Sequence, residues 1–191
     1  MPRCRRAVLC TFLGFVAAFA CSRGPFHRTV FAQSAELGAY ADILSPVEEK
    51  LGTAKFFPVA DGVKIELDVI QQVPGLHAVR ILSVGKCEGP DFTSGGPPFD
   101  PNAKAHASAN ASGPSAGDLP NVEAGLDGHL QATIVAKGVT LGDGPNSLFH
   151  PGGTSIVIDE NPADDKAEGG GNSGPHVACG VIQKDGAATV P

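Results

Sequence analysis

The residues able to do chemistry are few: two cysteines far along the chain, six histidines, and carboxylates dispersed through strands and loops. Cys87 and Cys179 stand 92 positions apart, without the short Cys-to-Cys spacing of a zinc site. In an oxidising compartment such a pair reads as a disulfide. Two unrelated buried thiols are the alternative. Closing so long a loop would constrain the unfolded chain by about 4–5 kcal/mol in the entropy model, less any strain.

The compartment is argued from the N-terminus. Arg3, Arg5 and Arg6 precede an apolar run from Ala7 to Cys21, and Ser22-Arg23-Gly24 ends it. The run is short for a transmembrane span, so residues 1–21 read as a signal peptide, with a retained membrane anchor as the alternative. Ala18-Phe19-Ala20 before Cys21 is one cleavage site, after which Cys21 could carry a lipid anchor; Val30-Phe31-Ala32 is another. Arg5-Arg6 is a minimal hint of twin-arginine export. The expected location is the periplasm or cell envelope. Cys4 and Cys10 leave with the signal.

The rest of the chain must position Cys87 and Cys179. Aromatic content is 6%, tryptophan is absent, and the chain holds 25 glycines and 16 prolines. A core of Val, Ile, Leu and Ala with many turns favours an all-β architecture. The net charge of -6 lacks the basic excess that nucleic-acid binding needs. Residues 22–50 read as an N-terminal segment with a strand or short helix in 35–44, and residues 51–191 as one domain. In Val63-Lys64-Ile65-Glu66-Leu67-Asp68-Val69 apolar and charged residues alternate strictly, the mark of a half-buried strand. Ala60-Asp61-Gly62 supplies the turn from Lys55–Val59, making a hairpin. Further strands are expected at 76–84, 129–135, 154–158 and 177–182. The Gly-, Pro- and Ser-rich stretch 88–121 and the polar stretch 161–175 read as long loops. His129 reads as a surface residue at a strand start, and His27 has no role beside the export segment.

From Gly52 to Ile182 the chain resembles exported bacterial copper/zinc superoxide dismutases. The resemblance is carried by Pro74-Gly75-Leu76-His77-Ala78-Val79, Gly85-Lys86-Cys87-Glu88 and Ala116-Gly117-Asp118-Leu119-Pro120-Asn121. It continues in Leu148-Phe149-His150-Pro151-Gly152-Gly153-Thr154-Ser155-Ile156-Val157-Ile158, Gly171-Asn172-Ser173-Gly174 and Ala178-Cys179-Gly180-Val181-Ile182, in family order. It implies an eight-stranded Greek-key β-barrel with two long loops and a Cys87–Cys179 bond. It also implies a copper held by four imidazoles beside a zinc held by three imidazoles and a carboxylate, with one imidazole shared.

The ligand positions depart from that pattern. Where the resemblance implies copper imidazoles the chain has Arg80, Leu82, Pro98 (the shared position) and Asp159. Of the remaining zinc positions, His106 and Asp118 are kept and Ser115 is a replacement. The arginine that would draw superoxide into the channel is His176. Leucine and proline offer no side-chain donor, and arginine stays protonated. His77 matches a structural position, His150 lies in a family turn, and Asp164 or Asp165 matches a residue linking the two metal sites. Arg80 and Asp159 replace ligands of one metal, so an ion pair between them is expected to fill the vacated pocket, with two outward, hydrated side chains as the alternative. His106, Asp118 and His176 are expected on a solvated loop, an adventitious metal being the other reading.

These readings converge on an exported, superoxide dismutase-like pseudoenzyme with no catalytic residues. No cofactor is expected, with weak zinc binding at His106 and Asp118 as the residual option. The alternative is a superoxide dismutase with an unusual metal site. A copper-handling role finds no Cys- or Met-rich carrier segment to support it. A homodimer is compatible with the family, and no protein partner is legible.

Overall fold

The computed structural model describes residues 38–101, 115–163 and 173–186. The expected export segment with Cys21 and His27, the candidate ligand His106, and Asp164 and Asp165 lie outside the described residues. Eight strands form a closed antiparallel barrel: β1 Ala39–Leu44, β2 Lys50–Val59, β3 Gly62–Val69, β4 Gly75–Leu82, β5 Asp118–Ala124, β6 Leu130–Lys137, β7 Ser155–Asp159 and β8 His176–Val181. A two-residue β9, Gln183–Lys184, extends β8 and pairs with the start of β1. Neighbours run β2-β3-β6-β5-β4-β7-β8-β1, and β1 pairs with β2 to close the ring. Closure leaves no long sheet edge exposed. The only helix among the described residues is a single 3-10 turn at Thr93–Gly95.

Period-two patterning explains the inner face. In β3, Val63, Ile65, Leu67 and Val69 are buried, while Lys64 and Glu66 pair with each other outside at 2.7 Å. Ile43, Phe56, Ile65, Ile81, Leu130, Leu148, Ile156 and Ile158 are fully buried in one core. Each contributes roughly 1.5–3 kcal/mol through burial. The stretch 35–44 forms a strand over Ala39–Leu44, not a helix, because Ala39, Ala41 and Ile43 alternate into this core.

Two boundaries differ from expectation. The long loop was expected to run to Asn121, but β5 starts at Asp118, so its end is barrel wall. Pro120 is tolerated there because the ladder with β4 is interrupted by an irregularity between His77 and Val79. The strand expected at 76–84 stops at Leu82.

β4 and β7 are buried on both faces. Val79 and Ile81 of β4, and Ile156 and Ile158 of β7, enter the barrel core. Leu82 and Val157 instead pack outside it with Phe92 and Cys179, in a second small core beneath the loop that follows β4. Cys87 is bonded to Cys179 across a Cα separation of 5.7 Å, tying this loop to β8.

Candidate metal centre

Barrel register gathers the site. Across β4–β5, Arg80 is paired with Asp118; across β7–β8, Asp159 is paired with His176. Arg80 is also paired with Val157 across β4–β7, so Asp159, two positions on, is its diagonal neighbour on the same face. Diagonal positions lie about 7–8 Å apart at the backbone, a span that an arginine side chain bridges. Four adjacent strands thus each place one polar residue in a row: Asp118, Arg80, Asp159, His176.

The contacts follow. Arg80 Nη1 lies 3.0 Å from Asp159 Oδ2, and Arg80 Nε lies 3.4 Å from Asp118 Oδ1. The second contact is an ion pair without hydrogen-bond alignment. Asp118 also accepts the backbone N–H of Ser115 at 3.0 Å. Asp159 is wholly buried and accepts hydrogen bonds from Ser173 Oγ at 2.5 Å and from His176 Nδ1 at 2.5 Å. Arg80 and Asp118 side chains are 11% and 9% exposed, so the whole cluster is largely removed from water. In such surroundings a carboxylate needs a compensating cation and hydrogen bonds, which Asp159 obtains from three side chains.

The expected Arg80–Asp159 pair is present, but it is only part of a larger cluster. The expectation of a solvated loop around Asp118 and His176 is not met: both carry contacts to the cluster, because cross-strand register places them beside Arg80 and Asp159. Ser173 was not singled out from the sequence as a partner. Its place three residues before the start of β8 puts its hydroxyl over Asp159, and nothing in the residue types signals that.

The other replaced positions are filled by packing. Leu82 is fully buried in the small outer core, where an imidazole would face copper if the resemblance held in chemistry. Pro98 forms an isolated bridge with Leu82, and neighbouring Phe99 is buried. Ser115 contributes its backbone N–H to Asp118. His77 is buried, its Nδ1 at 2.8 Å from the Asp159 carbonyl and its Nε2 at 2.6 Å from the Val73 carbonyl; the ring braces the end of β7 against the turn before β4. His150 stacks on Phe99 with ring centroids 5.2 Å apart and accepts the Gly152 N–H at 3.2 Å, a turn-building role. His129, half-buried on the surface, meets Asp68 at 2.7 Å.

This donor set does not fit copper. Two of the four positions have no side-chain donor, one is a cation, and the fourth is a carboxylate already paired with that cation. Among the described residues, no three His, Cys, Asp or Glu side chains are grouped to hold a metal ion. Asp118, the kept zinc-type carboxylate, is turned to Arg80 and Ser115.

Comparison with known proteins places this architecture. Residues 50–182 match the family model described as copper/zinc superoxide dismutase (SODC). A superoxide dismutase [Cu-Zn] 1 of Aquifex aeolicus is 39% identical over 155 residues, covering 80% of this chain and 92% of that protein. The superoxide dismutase-like protein YojM of Bacillus subtilis is 34% identical over 124 residues, covering 64% of this chain and 63% of that protein. The crystal structure of a superoxide dismutase-like protein from Bacillus subtilis superposes with a TM-score of 0.70 at 29% identity, covering 76% of this chain and 99% of that one. A variant of that protein with proline changed to histidine superposes with a TM-score of 0.69 at 29% identity, covering 74% and 95%. Family model, sequence relatives and barrel topology agree: the chain belongs to the copper/zinc superoxide dismutase family.

Proposed function

We propose that this protein is an exported, non-catalytic member of its family, a superoxide dismutase-like barrel that serves the periplasm or cell envelope as a binding or structural module. The observation that carries the reading is the Arg80 guanidinium lying between Asp159 and Asp118, within 3.0 and 3.4 Å of their carboxylates. It puts a fixed cation where redox chemistry needs converging nitrogen donors. Leu82 in its apolar core and Pro98 against it add no donor. His176, where an arginine would steer superoxide, donates its Nδ1–H to Asp159, so its imidazole is part of the internal cluster. Export is supported by the basic and apolar N-terminal sequence and by the Cys87–Cys179 disulfide, which suits an oxidising compartment. On this reading no metal cofactor is resident, and attachment through a lipid at Cys21 remains one mode of envelope association.

The test is metal retention with activity. Purified mature protein is loaded with copper and zinc, treated with chelator, and assayed for bound metal and superoxide consumption. The expected result is less than one tightly held copper per chain and no activity above free-metal controls. Stoichiometric copper surviving chelation, with catalytic superoxide consumption, overturns the reading. It would instead favour a dismutase with an unusual site, the alternative that the Aquifex aeolicus relative's name supports.

A further inference from the structure

We infer that Arg80 is a built-in cation substitute: its guanidinium takes the electrostatic place of both metals, neutralising the copper-position carboxylate Asp159 and the zinc-position carboxylate Asp118, and it latches the site shut against divalent ions. The inference deepens the proposed function and rests on it.

The argument starts from charge. Asp159 is fully buried and Asp118 nearly so. Two carboxylates that flank one guanidinium in a water-poor site repel each other unless a cation joins them. A divalent ion between them would be one solution. Arg80 is the solution found here, reaching one carboxylate through Nη1 and the other through Nε. A guanidinium is suited to this because its donors are fixed in a plane, it stays charged, and it loses less hydration than an ammonium.

Topology adds to the argument. Arg80 sits on β4, between β5 with Asp118 and β7 with Asp159, and Asp159 is bonded onward to His176 of β8 and Ser173 before it. One side chain thus connects β5, β4 and β7 directly, and β8 through Asp159. Arg80 also competes directly with metal, since any cation binding Asp118 and Asp159 together must displace the guanidinium. With Arg80 removed, Asp118 and Asp159 are left as two unneutralised carboxylates, oxygen donors that a divalent ion would have to draw together. Thus the chain gains a metal-independent fold, and the price is a metal-refractory site.

The test compares thermal unfolding of the wild type, R80M, R80K and R80M/D118N/D159N, each with chelator and with excess zinc. R80M keeps an unbranched apolar stem in place of the arginine's and removes the guanidinium with its charge. Its midpoint should fall by about 10 °C or more, the expected size for stranding buried carboxylates in a domain of this length. Zinc should raise the R80M midpoint and leave the wild type unmoved. R80K, with its charge but not the fork, should fall between. The triple variant, with charge removed on both sides, should regain most of the loss. If R80M does not fold, a folded triple variant still supports the latch, and an unfolded one overturns it in favour of simple packing. The latch is also overturned by an R80M midpoint equal to wild type, or by equal zinc stabilisation of both. Copper retention and superoxide consumption by the wild type are read separately. Their presence sinks the proposed function; their absence together with an unshifted R80M sinks only the latch.

Discussion

Removing the disulfide tests how this barrel holds its covering loop. In C87A/C179A both sulfurs are deleted together, so no lone thiol is left to react. On the native side the loss is small. The loop after β4 stays pinned by the Val84 N–H to Gly95 carbonyl bond, the Gly85 N–H to Gly152 carbonyl bond and the Ser83 N–H to Pro97 carbonyl bond, each 2.9 Å. Phe92 still covers Leu82 and Val157. The main change is in the unfolded chain, which is freed of a loop spanning 92 positions. The entropy relation for a loop of that length gives ~4.5 kcal/mol at 25 °C. For a domain whose total stability is of order 5–15 kcal/mol, that is a third of it or more. The assay is equilibrium urea unfolding of oxidised wild type and of the variant. The midpoint should drop and the m value should rise, since an uncrosslinked unfolded chain exposes more surface. Stopped-flow data should assign much of the change to slower folding. A loss below ~1 kcal/mol with an unchanged m value would refute the argument, showing that the unfolded chain was not constrained as reasoned.

Three further outcomes are expected. The variant G117A should lose ~2–3 kcal/mol in chemical denaturation, because a Cβ at Gly117 would stand 2.3 Å from the Ile81 carbonyl oxygen and 2.6 Å from the Phe99 nitrogen. The His129 hydrogen bond holds the Asp68 carboxyl below its ordinary pKa, outweighing the raising effect of desolvation. A depressed folded-state value means that this stabilisation is present above the unfolded-state pKa and is lost as pH falls through the folded one. Carboxyl NMR of H129A should therefore show the Asp68 midpoint moving up, and an unmoved midpoint counts against the assignment. The combined variant R80H/L82H/P98H/S115H/D159H should retain copper and zinc through chelation, read by elemental analysis. If it folds, as judged by circular dichroism, and still holds neither metal, then the ligand positions have been wrongly mapped.

Much of the barrel was legible in the residues. The alternation of Val63 to Val69 reports a strand directly, because one face meets apolar neighbours and the other meets water. The paired cysteines, the glycine-rich turns and the family segments pointed to the same closed architecture, and the replaced ligands were visible as residue types whose chemistry is unsuited to copper. β5 was less legible, since Asp118-Leu119-Pro120-Asn121 carries turn-forming residues that only pairing with β4 converts to strand.

What the sequence alone determined is which donors the chain lacks, since leucine, proline and arginine lack a metal-binding side chain wherever they sit. What those residues do instead was decided by tertiary structure. The Arg80–Asp159 pair was expected only through the resemblance; the diagonal between β4 and β7 that joins these residues, 79 positions apart, is not written in chain order. Only the pairing of β5, β4, β7 and β8 brings Asp118 to the other side of the same guanidinium and places Ser173 and His176 over the buried carboxylate, and only the packing of the loop after β4 puts Leu82 under Phe92. The physical reason is that charge pairing and packing depend on distance and burial through the assembled fold. Strand register sets both, and it emerges only when all eight strands have found their neighbours.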